Sequence, residues 1–275
     1  MTKIALFGAG GKMGYRLSTN FRGSRYSVSH VELSEAGCER LKTGLGIDAV
    51  SADEALKGAD VVILAVPDTL IGKVMAGIND RVQSGTMVVA LDAAAPFAGH
   101  LPDRPDLTYF VTHPCHPPIF NDETDMEAKN DHFGGFKAKQ HIVSALMQGP
   151  EEDYAKGEEI AKVIWAPVMR SHRVTVDQLA LLEPGLSETV CASLLVIMKE
   201  AVDEVVARGV DEQTAQDFLL GHMNVLGAVI FGETEGVFSD ACNKAIEFGK
   251  PVLMRDDWKR VFEHDEIKAS ILRIT

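Results

Sequence analysis

At 275 residues, 46% hydrophobic and 24% charged, the chain is long enough for one large domain or two small ones, with an ample core. Its 27 basic against 40 acidic residues leave a formal charge of −13, which argues against a nucleic-acid or anionic-membrane partner. No apolar stretch has the length of a membrane span. Met1-Thr-Lys running straight into a strand predicts no signal peptide, and four scattered cysteines without a C-x-x-C pair suit reduced thiols in a cytoplasm.

The first element is an apolar run, Ile4 to Phe7, followed at once by Gly8, Gly10, Gly11 and Gly14 and then by a helix from Tyr15 to Phe21. Strand, glycine turn and helix form the context in which a dinucleotide fingerprint has physical meaning. Glycine tolerates positive φ, lets a pyrophosphate approach the backbone, and delivers it to the free N–H groups of a helix N-terminus. The spacing is G-x-x-G-x-x-G through Gly8, Gly11 and Gly14, with Met13 where the third glycine of the standard pattern would fall. Gly8, Gly10, Gly11, Lys12, Met13 and Gly14 are the expected phosphate-side residues, although a purely structural turn would use the same glycines. The next strand, Tyr26 to Leu33, carries Glu32 eighteen residues beyond Gly14. A carboxylate at about that distance accepts hydrogen bonds from the adenosine ribose and repels the extra phosphate of NADP, so Glu32 points to NAD. A surface glutamate at a strand end is the plainer alternative.

Ser34 to Leu41 reads as a helix, Gly44-Leu-Gly-Ile47 as the approach to a short edge strand, and Asp53 to Lys57 as a short helix. Asp60-Val-Val-Ile-Leu-Ala-Val-Pro-Asp68 is an unbroken apolar run, as expected of a strand buried on both faces of a parallel sheet. Pro67 stops it, and Pro67 and Asp68 should lie beside the cofactor, because ligands bind at the carboxyl ends of such strands. A helix from Leu70 to Asn79 follows, then strands at Thr86 to Leu91 and Leu107 to Thr112. Residues 119 to 140 are polar, acid-rich and glycine-containing, an exposed loop with the character of a lid. Two further strands, His141 to Met147 and Val163 to Ser171, should flank a helix from Glu151 to Ile164. Beyond Thr175 the pattern is helical. Leu186 to Arg208 carries Val190, Leu194, Ile197, Ala201 and Val205 at helical spacing, and Asp211 suits the N-cap of a helix running to about Phe231. Shorter helices are expected over Ser239 to Phe248 and Trp258 to Ile271. The fold class is thus α/β, a Rossmann-type doubly wound sheet over residues 1–172, followed by an all-α substrate or dimerisation domain over 173–275.

Five side chains carry candidate chemistry. His113 and His116 lie in His113-Pro-Cys-His-Pro-Pro118, where prolines stiffen the segment beyond a strand end. They suit a metal ligand or a general acid/base beside the nicotinamide, or one of them simply bonds the loop backbone. Glu183 precedes Pro184, which biases it out of helical geometry. Glu188 sits in the first turn of the long helix, where the helix dipole alone would favour it. His222 lies on the stripe Ala215, Leu219, His222, Leu226, Val229 and is equally readable as a core residue. Oxidation of an alcohol by NAD needs a base for the hydroxyl proton, and a divalent metal can share that work. Imidazole and carboxylate suit zinc or a similar ion.

Several strings carry a family resemblance: Gly8-Ala-Gly-Gly-Lys-Met-Gly14, Leu91-Asp-Ala-Ala-Ala-Pro96, His113-Pro-Cys-His-Pro-Pro-Ile-Phe-Asn-Asp122, Ala145-Leu-Met-Gln-Gly-Pro-Glu-Glu152 and Leu182-Glu-Pro-Gly-Leu-Ser-Glu188. The chain resembles the superfamily of phosphogluconate, hydroxyisobutyrate and prephenate dehydrogenases and ketol-acid reductoisomerase. Within it, the chain is similar to a narrower group with a phosphogluconate-dehydrogenase-like C-terminal domain that includes the D-apionate oxidoisomerases. It departs from the hydroxyacid dehydrogenases in having no lysine near Leu182 to Val190. The resemblance implies NAD-dependent oxidation of a small branched sugar acid with an acyloin-type shift. It also implies His113 and Glu183 on a divalent metal, His116, Glu188 and His222 handling protons, and a homodimer. Dehydrogenation of another small hydroxy acid without rearrangement, or a non-catalytic NAD-binding regulator, are the competing readings.

Overall fold

The computed structural model describes all residues, Met1 to Thr275. It divides into two compact units, Met1–Glu183 with Lys268–Thr275, and Pro184–Ile267. The first unit therefore includes the ten or so residues that follow 172 and the last turns of the chain.

In the first unit, β1 (Lys3–Phe7), β2 (Ser27–Val31), β3 (Val61–Leu64), β4 (Met87–Ala90), β5 (Thr108–Pro114), β6 (Gln140–Gln148) and β7 (Val168–Arg173) form one sheet in the order β2-β1-β3-β4-β5-β6-β7. Strands β1 to β5 are mutually parallel, β6 runs antiparallel to β5, and β7 is parallel to β6. The apolar runs at Ile4, Val61 and Met87 become the central strands, whose residues are buried on both faces. Alternate residues feed two cores. Ile4, Leu6, Ile63, Val89, Phe110 and Ile142 pack with Leu17 and Phe21 of α1 (Lys12–Phe21) and Ile160 and Ile164 of α7 (Asp153–Ile164). Ala5, Phe7, Val62, Leu64 and Val88 pack with Leu56 of α3 (Ala52–Leu56) and Ile71 and Met75 of α4 (Asp68–Ile78). The doubly wound architecture is as expected.

Helix α2 (Glu35–Leu45) is capped by Ser34, whose hydroxyl accepts from the Gly37 N–H, and ends at Gly46 in the left-handed region. The edge strand expected after Gly44 does not form. A single hydrogen bond from the Val50 N–H to the His30 carbonyl joins this segment to β2, too little for a ladder. The expected loop 119–140 contains a short helix, α6 (Met126–Lys129). After β4 and β7 come α5 (Ala94–Phe97) and α8 (Val176–Ala180), and α8 packs on β6 and on α5.

The segment expected to be one helix from Leu186 begins earlier and is wound differently. Leu181–Ala192 is a π-helix, continued by α9 (Ser193–Ala207). Pro184 does not expel Glu183 from helical geometry, as its sequence position suggested. The wider winding accommodates the missing N–H, and the Thr189 hydroxyl donates to the Pro184 carbonyl at 2.6 Å. The second unit continues with α10 (Glu212–Phe231), α11 (Asp240–Leu253) and a 3-10 turn (Trp258–Phe262), and α12 (His264–Ile274) closes the chain. Asp211 caps α10 as expected, accepting from the Thr214 N–H. The apolar stripes of α9 and α10 are not a closed core. Val202 and Ala215 are their only buried residues, whereas Phe218, Ile230 and Phe231 are 63–73% exposed.

Candidate functional site

The parallel strands end together, so Gly8, Ala65 to Asp68, Leu91, Asp92 and Pro114 share one sheet edge. Gly8 turns there at φ +73°, and a Cβ on it would collide with the Ala65 carbonyl. A Cβ on Gly14 would strike the Gly8 carbonyl, so this glycine lets α1 start directly against the turn. Gly11 is the N-cap of α1, whose first N–H groups have no intrahelical partner. Lys12 lies over the Phe133 ring, 4.1 Å from its centroid, while the Met13 side chain packs against the core. Pro67 and Asp68 begin α4, a second helix N-terminus at the same edge.

Glu32 is built into the turn. Its Oε1 accepts from the Leu33 and Ser34 N–H groups and the Ser34 hydroxyl, each at 2.9 Å, and its Oε2 accepts from the Gly10 N–H at 2.9 Å. Burial works to raise its pKa, but these hydrogen bonds outweigh it and hold the carboxyl below its ordinary value. The Arg40 guanidinium donates to the Gly10 carbonyl from the other side.

Beyond β5, His113 is half-buried between two carboxylates. Its Nδ1 bonds the Leu91 carbonyl at 2.8 Å. A carbonyl only accepts, so Nδ1 carries the hydrogen and Nε2 of the neutral ring presents a bare lone pair. That Nε2 is buried, makes no hydrogen bond, and lies 3.3 Å from Glu183 Oε2. Asp92 Oδ2 is 3.6 Å from His113 Nδ1, and Asp92 Oδ1 accepts from the Ala94 N–H. One ligand atom from each of Asp92, His113 and Glu183 lies within 4.8 Å of the others. An imidazole fixed by a carbonyl on its far nitrogen, with its near nitrogen turned to a carboxylate, here Glu183, is the usual preparation of a metal-ligating histidine.

His116 stands beside this group, its ring 6.0 Å from that of His113 and perpendicular to it. It has φ +61°, the only non-glycine residue in the left-handed region, a conformation that costs about 1–3 kcal/mol and persists only where the surroundings enforce it. Its Nδ1 donates to the Phe133 carbonyl at 2.9 Å, which leaves Nε2 to accept a proton. Phe133 in turn faces Lys12 and Arg16, and Arg16 donates to the Gly134 carbonyl. The acid-rich loop is thereby tied to α1 and to His116. Its acids mainly hold turns: Asp125 caps α6, and Asp131 accepts from three successive N–H groups, Phe136 to Ala138.

Of the expected chemical residues, His113, His116 and Glu183 are brought together in the first unit. Glu188 and His222 belong to the second and are exposed. His222 is not a core residue. Its Nδ1 bonds the Phe218 carbonyl at 2.7 Å and its ring stacks on Phe218 at 4.1 Å. Asp92 was missed from the site. The signal was present, an acid two residues past the last residue of a buried parallel strand, where such sheets bind ligands.

A parallel sheet with a glycine turn, an acid on the second strand and a histidine–carboxylate group at the same edge defines a Rossmann-type, nucleotide-dependent oxidoreductase. Family models agree. Residues 3–95 match the NADP oxidoreductase, coenzyme F420-dependent family, and residues 121–275 match the C-terminal domain of decarboxylating phosphogluconate dehydrogenase. The chain is 78% identical to a D-apionate oxidoisomerase of Rhizobium rhizogenes over 100% of both chains. It is 69% identical to one of Cupriavidus necator over 99% of both. A crystal structure of a semialdehyde dehydrogenase NAD-binding protein from Cupriavidus necator, in complex with calcium and NAD, superposes with a TM-score of 0.99 at 69% identity over 100% of each chain. The chain belongs to the D-apionate oxidoisomerase family.

Proposed function

We propose that this chain oxidises D-apionate with NAD and rearranges the product to an oxo-isoapionate, with a divalent cation held by Asp92, His113 and Glu183. The observation that carries the reading is the buried, unbonded Nε2 of His113 facing Glu183. The relatives named D-apionate oxidoisomerase, and the neighbour that binds calcium and NAD, support it. One imidazole and two carboxylates suit calcium, magnesium or manganese as well as zinc.

Hydride leaves the carbon next to the carboxylate for NAD, and the hydroxyl proton leaves with a base. His116 Nε2 is that base, its Nδ1 hydrogen being committed to Phe133. The resulting 2-oxo acid lies beside a tertiary alcohol. Loss of the alcohol proton lets a hydroxymethyl group migrate with its bonding pair to the new carbonyl, and a second carbonyl forms where it left. Oxidation sends two electrons to NAD, and the shift that follows is redox-neutral. A bound divalent ion would supply Lewis acidity to the acceptor carbonyl. Glu188 and His222 are the remaining proton-handling candidates, each to be settled by turnover of its Gln variant.

Glu32 favours NAD over NADP. Gly10 takes one site on Oε2, and its remaining lone pair suits a ribose hydroxyl, while the ionised carboxylate repels a 2′-phosphate. We further propose that the helical region, 173–275, serves substrate binding and dimerisation, and that a second copy covers the exposed apolar faces of α9, α10 and α11. Patches of this kind on a chain of such net charge are covered in working proteins. A monomer mass in solution scattering at working concentration would contradict the dimer. A cytoplasmic, small-molecule enzyme completes the reading. The test is NADH formation from NAD and D-apionate with NMR of the product. A rearranged skeleton supports the function, and an unrearranged 2-oxo acid moves it to a simple dehydrogenase.

A further inference from the structure

The same sheet face that carries His113 carries a second cluster of opposite character. Register places His113 opposite Val143, and Val143 opposite His172, so these side chains stand in one row. Cys115 follows two residues later, just past the end of β5, and its N–H bonds the His141 carbonyl at 2.9 Å, so His141 is the next residue on this face of β6. Diagonal neighbours of this kind are about 7–8 Å apart at Cα, within reach of one small ligand. On β7, Arg170 is on the His172 side, because side chains two residues apart share a face.

The rings of His141 and His172 meet at 5.8 Å. His141 Nδ1 is buried with no hydrogen-bond partner. Arg170 enters no hydrogen bond or ion pair, and neither it nor His172 is matched by an acid. Burial, then the charges of Arg170 and His172, depress the His141 pKa and favour its neutral ring. In a chain of net charge −13, this places one guanidinium beside two imidazoles whose ring N–H groups can also donate to an anion. The link back to His113 is Cys115, which stands between the two groups on this face.

Charge decides what such a cluster would hold. Asp92 and Glu183 carry two negative charges, which one divalent cation only neutralises. A sugar acid bound there brings a further carboxylate, and that group needs positive charge elsewhere. We propose that His141, Arg170 and His172 form a carboxylate subsite, which receives the acid end of the substrate and turns its hydroxyl end toward His113. The inference rests on the sugar-acid reading above. It assigns the preference for an acid over a neutral sugar to these three side chains.

The test uses the NAD-loaded protein. Arg170→Gln should raise KM for D-apionate about tenfold or more, as expected for loss of a charge-assisted hydrogen bond, with kcat and NAD affinity little changed. Arg170→Lys should recover most of the loss, which a merely structural role would not predict. In parallel, D-erythronate, a four-carbon sugar acid, should shift the His141 and His172 ring resonances, and the neutral erythritol should not. An unchanged KM in Arg170→Gln overturns the subsite and leaves the function standing. Failure of wild-type protein to turn over D-apionate, with Arg170-dependent erythronate shifts intact, overturns the function and leaves the subsite standing. Equal shifts with erythritol overturn the subsite. So does an unchanged KM in Arg170→Glu with a fall in solution mass, which would assign the cluster to a contact between copies.

Discussion

The two units of this chain handle apolar residues in opposite ways. In the sheet unit, Ile4, Leu17, Ile63, Val88 and Phe110 are essentially inaccessible, and both cores close with the unit's own side chains. In the helical unit, α9 and α10 each bury one small or medium side chain, while Phe231 and Phe248 are 73% and 76% exposed. The polar chemistry is divided as well. Asp92, His113 and His116 are braced in the sheet unit by backbone groups of other segments or turns, whereas the exposed His222 bonds a carbonyl one turn back on its own helix. The lesson is that the sheet unit closes its cores with its own side chains, while the helical unit leaves large apolar side chains exposed.

The largest effect expected within this contrast is at the braced group. Glu183→Gln keeps the shape and removes the charge facing His113 Nε2. Turnover should fall about a hundredfold or more, since even supporting residues of metal sites are worth 10–100-fold, with NAD binding retained in a fluorescence titration. Near-normal turnover would remove Glu183 from the site.

Core substitutions sharpen the contrast next. Leu17→Ala in the closed core should cost about 2–5 kcal/mol in denaturant unfolding. Phe231→Ser should change unfolding of the dilute chain by about 0.5 kcal/mol or less and should lower the mass seen by solution scattering. Similar unfolding losses at both positions would show that the helical unit has a closed core after all.

Smaller effects concern Glu32. Glu32→Gln should weaken NAD binding about tenfold, the scale of one lost charge-assisted hydrogen bond, and narrow the preference over NADP. Because its folded pKa is depressed, Glu32 contributes stability at pH values above the ordinary carboxylate range, and that contribution is lost as pH falls through the lower folded value. Thermal unfolding of Glu32→Gln should therefore differ from that of the unaltered chain at neutral pH and converge with it in acid. A constant difference down to strongly acidic pH would contradict the assignment.

What could be read without coordinates follows the same division. Strand β3 and the turn at Gly8 to Gly14 were legible because an apolar run bounded by glycine or proline has few other solutions. His113 and Glu183 were legible as chemistry, since stiff or helix-starting segments presented them. Asp92 was passed over because an acid after a strand also reads as an ordinary turn residue, and only the carboxyl-edge geometry separates the two. The π-helix was illegible, since Pro184 signals a break and says nothing of wider winding. The exposure of His222 was illegible because an apolar stripe looks the same whether its partner lies within the chain or outside it.

The most direct test of the account is turnover of D-apionate by protein stripped with a chelator and then given graded amounts of a divalent cation. The readouts are NADH and the carbon spectrum of the product. The account predicts that stripped protein still binds NAD but yields no rearranged product, that about one ion per chain restores it, and that His113→Ala is not restored. Full rearrangement by stripped protein would contradict the role given to Asp92, His113 and Glu183.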